Sequence, residues 1–187
     1  MNFLIIGHSV VDKIIERGRT SIKPGGIFYT VISLLSWIVP EDKIFLCSNV
    51  DDKNIVLFKN VFGRVEREFL NTVNSIPNVE LVVSESGERK ETYSEIAENL
   101  ILPKKDLDRF NGILINMITG YDLSLSQLKE LRKNYSGIIY FDVHTLSRGV
   151  DKELNRIFRP IKDFSEWAKC IDILQTNESE LKTLSNK

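Results

Sequence analysis

Several residues that are suited to ligand binding stand at the exits of predicted strands. They lie in five short segments, at 7–12, 25–30, 118–122, 141–149 and 177–180. Four of these segments contain carboxylates, among them Asp12, Asp142 and Glu180, and one contains the adjacent glycines Gly25 and Gly26. Ligands of open α/β sheets bind beyond the carboxyl ends of the strands. We therefore expect the segments to meet around one ligand.

Asp12 has the chemistry to bind neighbouring hydroxyl groups. A carboxylate can accept from two hydroxyls at once, and such charge-assisted hydrogen bonds are about twice as strong as neutral ones. Most aspartates in loops are simply solvated, so the residue type alone leaves both interpretations open.

Gly25 and Gly26 follow Pro24 and lead directly into a predicted helix. Adjacent glycines let the backbone approach a ligand closely, and the N-terminus of a helix presents free N–H groups to it. The alternative is an ordinary turn before a helix. The glycines do not continue as G-x-G-x-x-G after a strand, so we expect no nicotinamide or flavin cofactor.

Two further residues have structural explanations that compete with a functional one. Asn177 with Glu180 three residues later is the pattern of a helix N-cap with a capping box. A lone histidine such as His144 is more often a hydrogen-bonding residue than a catalyst, and we assign it no catalytic role.

The elements that position these residues alternate between short apolar runs and helical patterns, which predicts a mostly parallel sheet covered by helices on both faces. The expected fold class is a three-layer α/β/α domain. Its predicted strands are 2–6, 43–48, 79–83, 112–118, 137–142 and 170–175. Its predicted helices are 27–39, 124–134, one or two within 51–76, and one from 178 to 184.

Two segments fit neither the sheet nor the helices. Residues 11–23 resemble a hairpin that turns near Gly18, and residues 84–102 are mainly polar with scattered apolar residues. We expect both to form a small β flap beside the sheet. Flaps of this kind often close over a ligand and exclude water.

Composition excludes several classes of protein. The 187 residues contain 25 Lys and Arg against 26 Asp and Glu, for a net charge of −1. We therefore expect one domain and neither a nucleic-acid nor a membrane partner. Cys47 and Cys170 lie far apart in apolar surroundings, so we expect two buried thiols in a reducing cytoplasm and no metal site.

Four of these patterns, in this order, resemble the ribokinase (PfkB) family of carbohydrate kinases. The resemblance rests on segment 7–12, on Gly25 and Gly26, on segments 118–122 and 141–149 taken together, and on 177–180. It spans nearly the whole chain and implies a ribokinase-like fold with a lid. It further implies a kinase that uses ATP and Mg²⁺ to phosphorylate a sugar or polyol, and it allows a homodimer formed through the lid.

The resemblance also implies roles for individual residues. Those that would bind the acceptor sugar are Asp12, Gly25, Gly26, Thr30 and Asp142. Asn177 and Glu180 would lie in the phosphate and magnesium region, with Glu180 acting through water. The commonest family pattern has Asn where this chain has Thr30, which leaves the identity of the substrate open.

One specific family pattern is absent from the 187 residues. The family's Gly-Ala-Gly-Asp sequence carries the general base and an anion hole, and no such sequence occurs here. We therefore expect the chain to be the N-terminal, acceptor-binding portion of a kinase, incomplete at its C-terminus and inactive by itself. The alternative is a catalytically inactive sugar-binding or dimerising remnant of the same fold.

Overall fold

The computed structural model describes residues 1–83, 89–94 and 97–184. The strands are β1 (Asn2–Ile6), β2 (Ser9–Glu16), β3 (Arg19–Gly26), β4 (Lys43–Val50), β5 (Leu70–Thr72), β6 (Asn78–Val83), β7 (Arg89–Tyr93), β8 (Gly112–Asn116), β9 (Ile138–Asp142), β10 (Arg148–Val150), β11 (Arg156–Phe158) and β12 (Ile173–Gln175). The helices are α1 (Ile27–Leu35), α2 (Ile55–Phe62), α3 (Leu125–Asn134), α4 (Phe164–Ala168) and α5 (Glu178–Leu181).

Six strands form a parallel central sheet in the order β12-β9-β8-β1-β4-β5. Both faces of this sheet are covered, because alternate residues of β1 enter two separate hydrophobic cores. Leu4 and Ile6 pack in one core with residues of α3 and α4, and Ile5 packs in the other with residues of α1 and α2. The predicted three-layer α/β/α fold with a mostly parallel sheet is confirmed.

Two predictions about the central sheet were wrong. The strand predicted at 79–83 is β6, which pairs with β2 and β7 in a separate sheet. One or two helices were predicted within 51–76 and no strand, but the region contains one helix, α2, and also β5 at the edge of the central sheet. β5 is only three residues long and is not fully buried, so it lacks the apolar run that marks the inner strands.

Several element boundaries also differ from the prediction. Helix α1 ends at Leu35 rather than at residue 39. At this end the Ser36 hydroxyl donates to the Ser33 carbonyl oxygen over 2.6 Å. β8 ends at Asn116, and β12 begins at Ile173. These three elements are shorter than predicted, whereas β4 extends two residues further, to Val50, because hydrogen bonding at the ends is not encoded in the apolar pattern.

A second sheet, which we call the flap sheet, contains four strands in the order β3-β2-β6-β7. The hairpin predicted at 11–23 is present as β2 and β3, and its turn residues Arg17 and Gly18 have φ of 47° and 72°. Of the second segment predicted for the flap, residues 84–88 and 95–96 lie outside the described residues. β7 belongs to the flap sheet, whereas Leu100 is buried in the core beneath α3.

A short hairpin of β10 and β11 packs against the flap sheet at β7. The Tyr93 backbone N–H donates to the Leu154 carbonyl over 3.1 Å, and the Thr92 hydroxyl donates to Asn155 Oδ1 over 2.9 Å. This hairpin therefore connects the flap sheet to the segment that follows β9.

A buried carboxylate joins the loops that leave β1 and β8. Asp122 Oδ1 accepts from the His8 backbone N–H over 2.7 Å and lies 3.0 Å from His8 Nδ1. Its Oδ2 accepts from the backbone N–H groups of Thr119 and Gly120 over 2.9 and 3.1 Å. The other ring nitrogen of His8 lies 3.0 Å from the Glu98 carbonyl oxygen, so each ring nitrogen has a hydrogen-bond partner.

The pKa of Asp122 reflects these contacts. Burial alone raises the pKa of this carboxyl, but the neighbouring His8 charge and the hydrogen bonds outweigh burial and hold the pKa below its usual value. Asp122 is therefore an anion in the folded chain.

The remaining sequence expectations concern cysteines and membrane segments. Cys47 and Cys170 are buried free thiols, and burial raises the pKa of Cys47 to about 12. Within residues 1–83, 89–94 and 97–184, no helix combines the length and the apolar character needed to cross a membrane.

We expect Asp122→Asn to lower the free energy of unfolding by about 1–3 kcal/mol, because the amide nitrogen cannot accept the buried backbone hydrogen bonds that the carboxylate oxygens accept. Urea denaturation at neutral pH measures the change, and Asp52→Asn at an exposed position is the control, with an expected change within about 0.5 kcal/mol.

The folded pKa of Asp122 lies below the unfolded value of about 3.9. Its stabilisation is therefore present above about pH 4 and is lost as the pH falls through the folded pKa. Wild-type stability of Asp122→Asn would contradict this role.

Candidate acceptor-binding site

A cavity of about 300 Å³ lies between the flap sheet and the carboxyl ends of β8 and β9. The central sheet and the segments after it contribute Asn116, Ile118, Asp142 and His144. The flap sheet contributes Val10, Asp12, Val79, Leu81 and Glu91. The remaining walls are Gly26, Tyr29, Thr30 and Arg156. The cavity therefore has an apolar floor and a ring of polar groups.

Four of the five residues predicted to bind an acceptor line this cavity. They come from three elements that are distant in sequence: Asp12 from β2, Gly26 and Thr30 from the start of α1, and Asp142 from the end of β9. The fifth residue, Gly25, lies directly beneath the Asp12 side chain. Their assembly at one place agrees with the expectation from the sequence, and their binding role remains a prediction.

Gly25 makes room for the Asp12 carboxylate. A Cβ atom added at Gly25 would lie 2.3 Å from Oδ2 and 2.5 Å from Oδ1 of Asp12. The two residues lie on adjacent antiparallel strands of the flap hairpin, where Val10 is the register partner of Gly25. A side chain at position 25 would thus displace the carboxylate.

Gly26 serves a different purpose at the start of α1. Its φ of 64° and ψ of −130° belong to a region that residues with a Cβ rarely enter. An added Cβ would lie 2.4 Å from the His8 carbonyl oxygen, which itself accepts from the Ile27 backbone N–H over 3.0 Å. Gly26 therefore lets helix α1 begin directly against the loop that follows β1.

Asn116 is a site residue that the sequence analysis missed. Its Nδ2 donates to the Thr30 hydroxyl oxygen over 3.1 Å, while its Oδ1 is buried and has no partner. A buried acceptor without a donor is costly unless a ligand or water satisfies it. Asn116 ends a strand in an apolar run, and no local pattern in the sequence marks it as polar lining of a cavity.

Asp142, His144 and Glu180 form a second polar group beyond β9 and β12. The His144 Nδ1 atom lies 3.9 Å from Glu180 Oε1. Burial, followed by the nearby charge of Glu180, raises the pKa of Asp142, although His144 acts in the opposite direction. Two carboxylates facing each other in this way favour a bound cation.

Asn177 and Glu180 form the capping box that their spacing predicts. Asn177 Oδ1 accepts from the Glu180 backbone N–H over 2.9 Å, and Glu180 Oε2 accepts from the Asn177 backbone N–H over 3.0 Å. Asn177 is exposed and does not line the cavity, whereas the Glu180 side chain is only 4% exposed. The capping interaction and a position beside Asp142 thus coexist in Glu180.

In the part of the chain that the structure describes, no group of three or more His, Cys, Asp and Glu residues has the arrangement of a metal site. The pair of Asp142 and Glu180 supplies fewer protein ligands than a closed site requires. It does suit Mg²⁺, which keeps several waters and is commonly held by one or two carboxylates together with phosphate oxygens.

Arg156 and Glu91 are further lining residues that sequence reasoning did not single out. Arg156 Nη1 donates to Glu91 Oε2 over 2.6 Å, and its Nη2 donates to the Ile118 carbonyl over 3.3 Å and to the Tyr93 hydroxyl oxygen. These contacts bridge β7, β11 and the loop after β8. Neither charged residue belongs to a recognisable motif, so only their spatial meeting identifies them.

We expect Gly25→Ala and Gly26→Ala to separate the two glycine roles. In Gly25→Ala the obstructing atoms are the end of the Asp12 side chain, so the carboxylate should move by about 1 Å or more while stability changes by about 1 kcal/mol or less. In Gly26→Ala the obstructing atom is backbone and the positive φ adds strain, so stability should fall by about 1–3 kcal/mol. Urea denaturation and a crystal structure of Gly25→Ala measure these effects. Equal losses of stability, with Asp12 unmoved, would refute the distinction.

Solved structures that resemble this chain are kinases of the ribokinase family, as the sequence patterns predicted. A pyrophosphate-dependent kinase of that family, complexed with a pyrophosphate analog and myo-inositol, aligns with a TM-score of 0.73 at 16% identity, covering 100% of this chain and 65% of its own. The ribokinase of Cryptococcus neoformans var. grubii in complex with ADP gives 0.72 at 15%, covering 98% and 60%. The Arabidopsis thaliana ribokinase complexed with ribose and ATP gives 0.63 at 17%, covering 98% and 62%.

Similarity at the level of sequence is not detected. No protein-family model matches the chain, and no curated protein is significantly similar to it. The chain spans about 60 to 65% of the length of the kinases named above. Together with the parallel sheet and the flap sheet, these alignments show that the chain has the ribokinase-like fold.

Proposed function

We propose that this chain forms the acceptor-binding part of a carbohydrate kinase that transfers the γ-phosphoryl group of ATP to a hydroxyl of a sugar or polyol. The observation that carries this proposal is the cavity between the two sheets, whose polar groups are mainly hydrogen-bond acceptors. Asp12 and Asp142 contribute carboxylates, and Asn116 contributes the buried Oδ1 atom that has no partner. A molecule with several hydroxyl donors is the natural complement of such a wall.

The size of the cavity limits the acceptor. Small-molecule sites commonly enclose about 300–1,000 Å³, and this cavity lies at the lower end of that range. It suits a ligand of monosaccharide size. Asp12 would bind two hydroxyls, Gly25 and Gly26 would allow the backbone to approach the ligand, and Thr30 and Asp142 would bind further hydroxyls.

The donor side of the site would lie around Glu180. Asp142 and Glu180 are carboxylates whose mutual repulsion a divalent cation would relieve. Mg²⁺ would neutralise charge on the transferred phosphoryl group. Asn177 would hold Glu180 in place through the capping box. We assign no catalytic base to these 187 residues.

We propose ATP as the donor because ribokinases with this fold are solved with ADP or with ATP. A kinase of the same fold is pyrophosphate-dependent, so pyrophosphate is the donor to test beside ATP.

The flap sheet would close over the acceptor, and the edge strand β3 would allow a homodimer to form through it. We place the protein in the cytoplasm because its two cysteines are free thiols.

A sugar-binding protein without kinase activity is the second candidate. The acceptor cavity supports it as well, because sugar binding requires that cavity but no donor site. Such a protein would keep the cavity and bind sugars, but it would neither bind ATP nor transfer a phosphoryl group.

The kinase proposal predicts phosphorylation of at least one neutral sugar or polyol by the complete protein. A coupled assay of ADP release over a panel of monosaccharides and polyols, repeated with pyrophosphate as donor, measures it. Asp12→Asn should lower kcat/KM by roughly a hundredfold or more, since the variant loses charge-assisted bonds to the acceptor. Asp52→Asn is the matched surface control. Failure to phosphorylate any acceptor would overturn the kinase proposal, and calorimetric sugar binding without turnover would support the second candidate.

Glu180→Gln should separate the capping role of this residue from its charge. Glutamine also completes a capping box, so the free energy of unfolding should stay within about 0.5 kcal/mol of wild type. Loss of the charge should lower kcat by roughly 10–100-fold, the usual cost of removing a residue that holds a metal through water. Glu178→Gln on the same helix, where the side chain is 85% exposed, is the control. Unchanged kcat in Glu180→Gln would limit Glu180 to a structural role.

A further inference from the structure

Two guanidinium groups beside the acceptor cavity share one carboxylate oxygen. Glu91 Oε2 accepts from Arg156 Nη1 over 2.6 Å and from Arg148 Nη1 over the longer distance of 3.4 Å. Because Arg156 makes the short contact, the positive charge of Arg148 is only weakly compensated. The charge of Asp12 also acts on Arg156, so Arg148 is the member of the cluster whose charge is least compensated. Partly buried charges are stable when they are paired, so Arg148 favours a further anion.

Unsatisfied donors point to the same conclusion. The Nε atoms of Arg148 and Arg156 are both buried and without a partner. The Arg156 side chain is only 9% exposed and that of Arg148 is 23% exposed. Phe158 packs against Arg148 with 4.8 Å between the guanidinium carbon and the ring centroid, and Tyr93 packs against Arg156 at 4.5 Å. The aromatic rings hold both guanidinium groups in fixed positions.

The carboxylate of Asp151 lines the same region but is bound within its own turn rather than to Arg148. Its carboxylate accepts from the backbone N–H groups of Glu153 and Asn155, each over 2.9 Å, and from Asn155 Nδ2. The hydrogen bonds from Asn155 and Glu153, and to a smaller extent the charge of Lys90, hold the pKa of Asp151 below its usual value, although desolvation acts in the opposite direction. The carboxylate is therefore anionic, but the turn between β10 and β11 already uses both of its oxygens.

The cluster borders a second cavity that adjoins the acceptor cavity. This second cavity has a volume of about 630 Å³, and Lys90, Arg148 and Arg156 supply its three cationic side chains. Glu91 and Arg156 line both cavities. The Glu91–Arg156 ion pair therefore lies at the boundary between the two cavities, with Arg148 and Lys90 on the side of the second cavity.

We propose that Arg148, Arg156 and Lys90 form a subsite for a carboxylate or phosphate group carried by the acceptor itself. The acceptor class would then be a sugar acid or a sugar phosphate, with its hydroxyls on Asp12 and its anionic group on Arg148. This inference rests on the proposed function. Arg148 is a specificity residue in this arrangement, and Glu91 is a positioning residue that orients both guanidinium groups.

Matched pairs of ligands test the subsite by calorimetry on the full chain. D-gluconate and D-sorbitol share a carbon skeleton and differ in one carboxylate, and D-glucose 6-phosphate and D-glucose differ in one phosphate. We expect the anionic member of at least one pair to bind about tenfold more tightly or better, with the preference falling as ionic strength rises. Inorganic phosphate alone is a further probe, because a free anion offers the same chemistry as an anionic acceptor.

Arg148→Gln should reduce the preference to about twofold or less while the affinity for the neutral ligand changes by no more than about twofold. Lys90→Gln should weaken the preference by a smaller factor, and it provides a test at an exposed position should Arg148→Gln fold poorly. Arg64→Gln, also exposed and on the segment after α2, is the charge-matched control and should keep the full preference.

Equal binding of the two members of both pairs, or an undiminished preference in Arg148→Gln, would overturn the inference. So would the absence of binding by any probe. Binding of inorganic phosphate without a preference for either anionic ligand would assign the cluster to a free anion and contradict its assignment to the acceptor. The proposed function fails on a different result, since the ADP-release assay covers neutral sugars and polyols. If wild type and Arg148→Gln phosphorylate a neutral acceptor at equal rates and neither prefers an anionic one, the proposed kinase function stands and the proposed anion subsite is refuted.

Discussion

The contact between Asp122 and His8 holds together the loops on which the cavity is built. Asp122 binds the backbone of the loop after β1 and the backbone of its own loop after β8, with no water needed for either. The His8 carbonyl in turn accepts from Ile27 at the start of α1, and the Ile118 carbonyl accepts from Arg156. The position of the helix N-terminus and the docking of the flap both depend on these two loops, so a buried carboxylate that does not itself line the cavity helps to set its shape.

The cavity exists because two sheets with different roles meet at one edge. The parallel sheet brings Asn116 and Asp142 together at its carboxyl ends, and the flap sheet adds Asp12 and Glu91 from the opposite side. Neither sheet alone encloses a ligand. The acceptor cavity contains the carboxylates of Asp12 and Asp142, whereas the adjoining cavity contains Lys90 and Arg148 beside the carboxylate of Asp151.

Glu180 illustrates how one side chain combines a structural and a chemical role. Its carboxylate caps helix α5 through Asn177 and at the same time raises the pKa of Asp142 by its charge. A capping box accepts glutamine as well as glutamate, so the cap by itself does not require the charge. The charge of Glu180 matters because it lies near the carboxylate of Asp142, which stands at the end of strand β9.

The sequence by itself determined the fold class, the hairpin at β2 and β3, and the capping box of α5, because each depends on local spacing. The family resemblance named Asp12, Gly25, Gly26, Thr30 and Asp142 as acceptor-binding residues, and that role stays a prediction. Only the tertiary structure decided that β6 leaves the central sheet for the flap and that β5 joins that sheet. It alone identified Asn116, Glu91, Arg148 and Arg156 as a group. Strand pairing and ion pairs join residues that are tens of positions apart, and a single sequence records the types of those residues but not which of them meet.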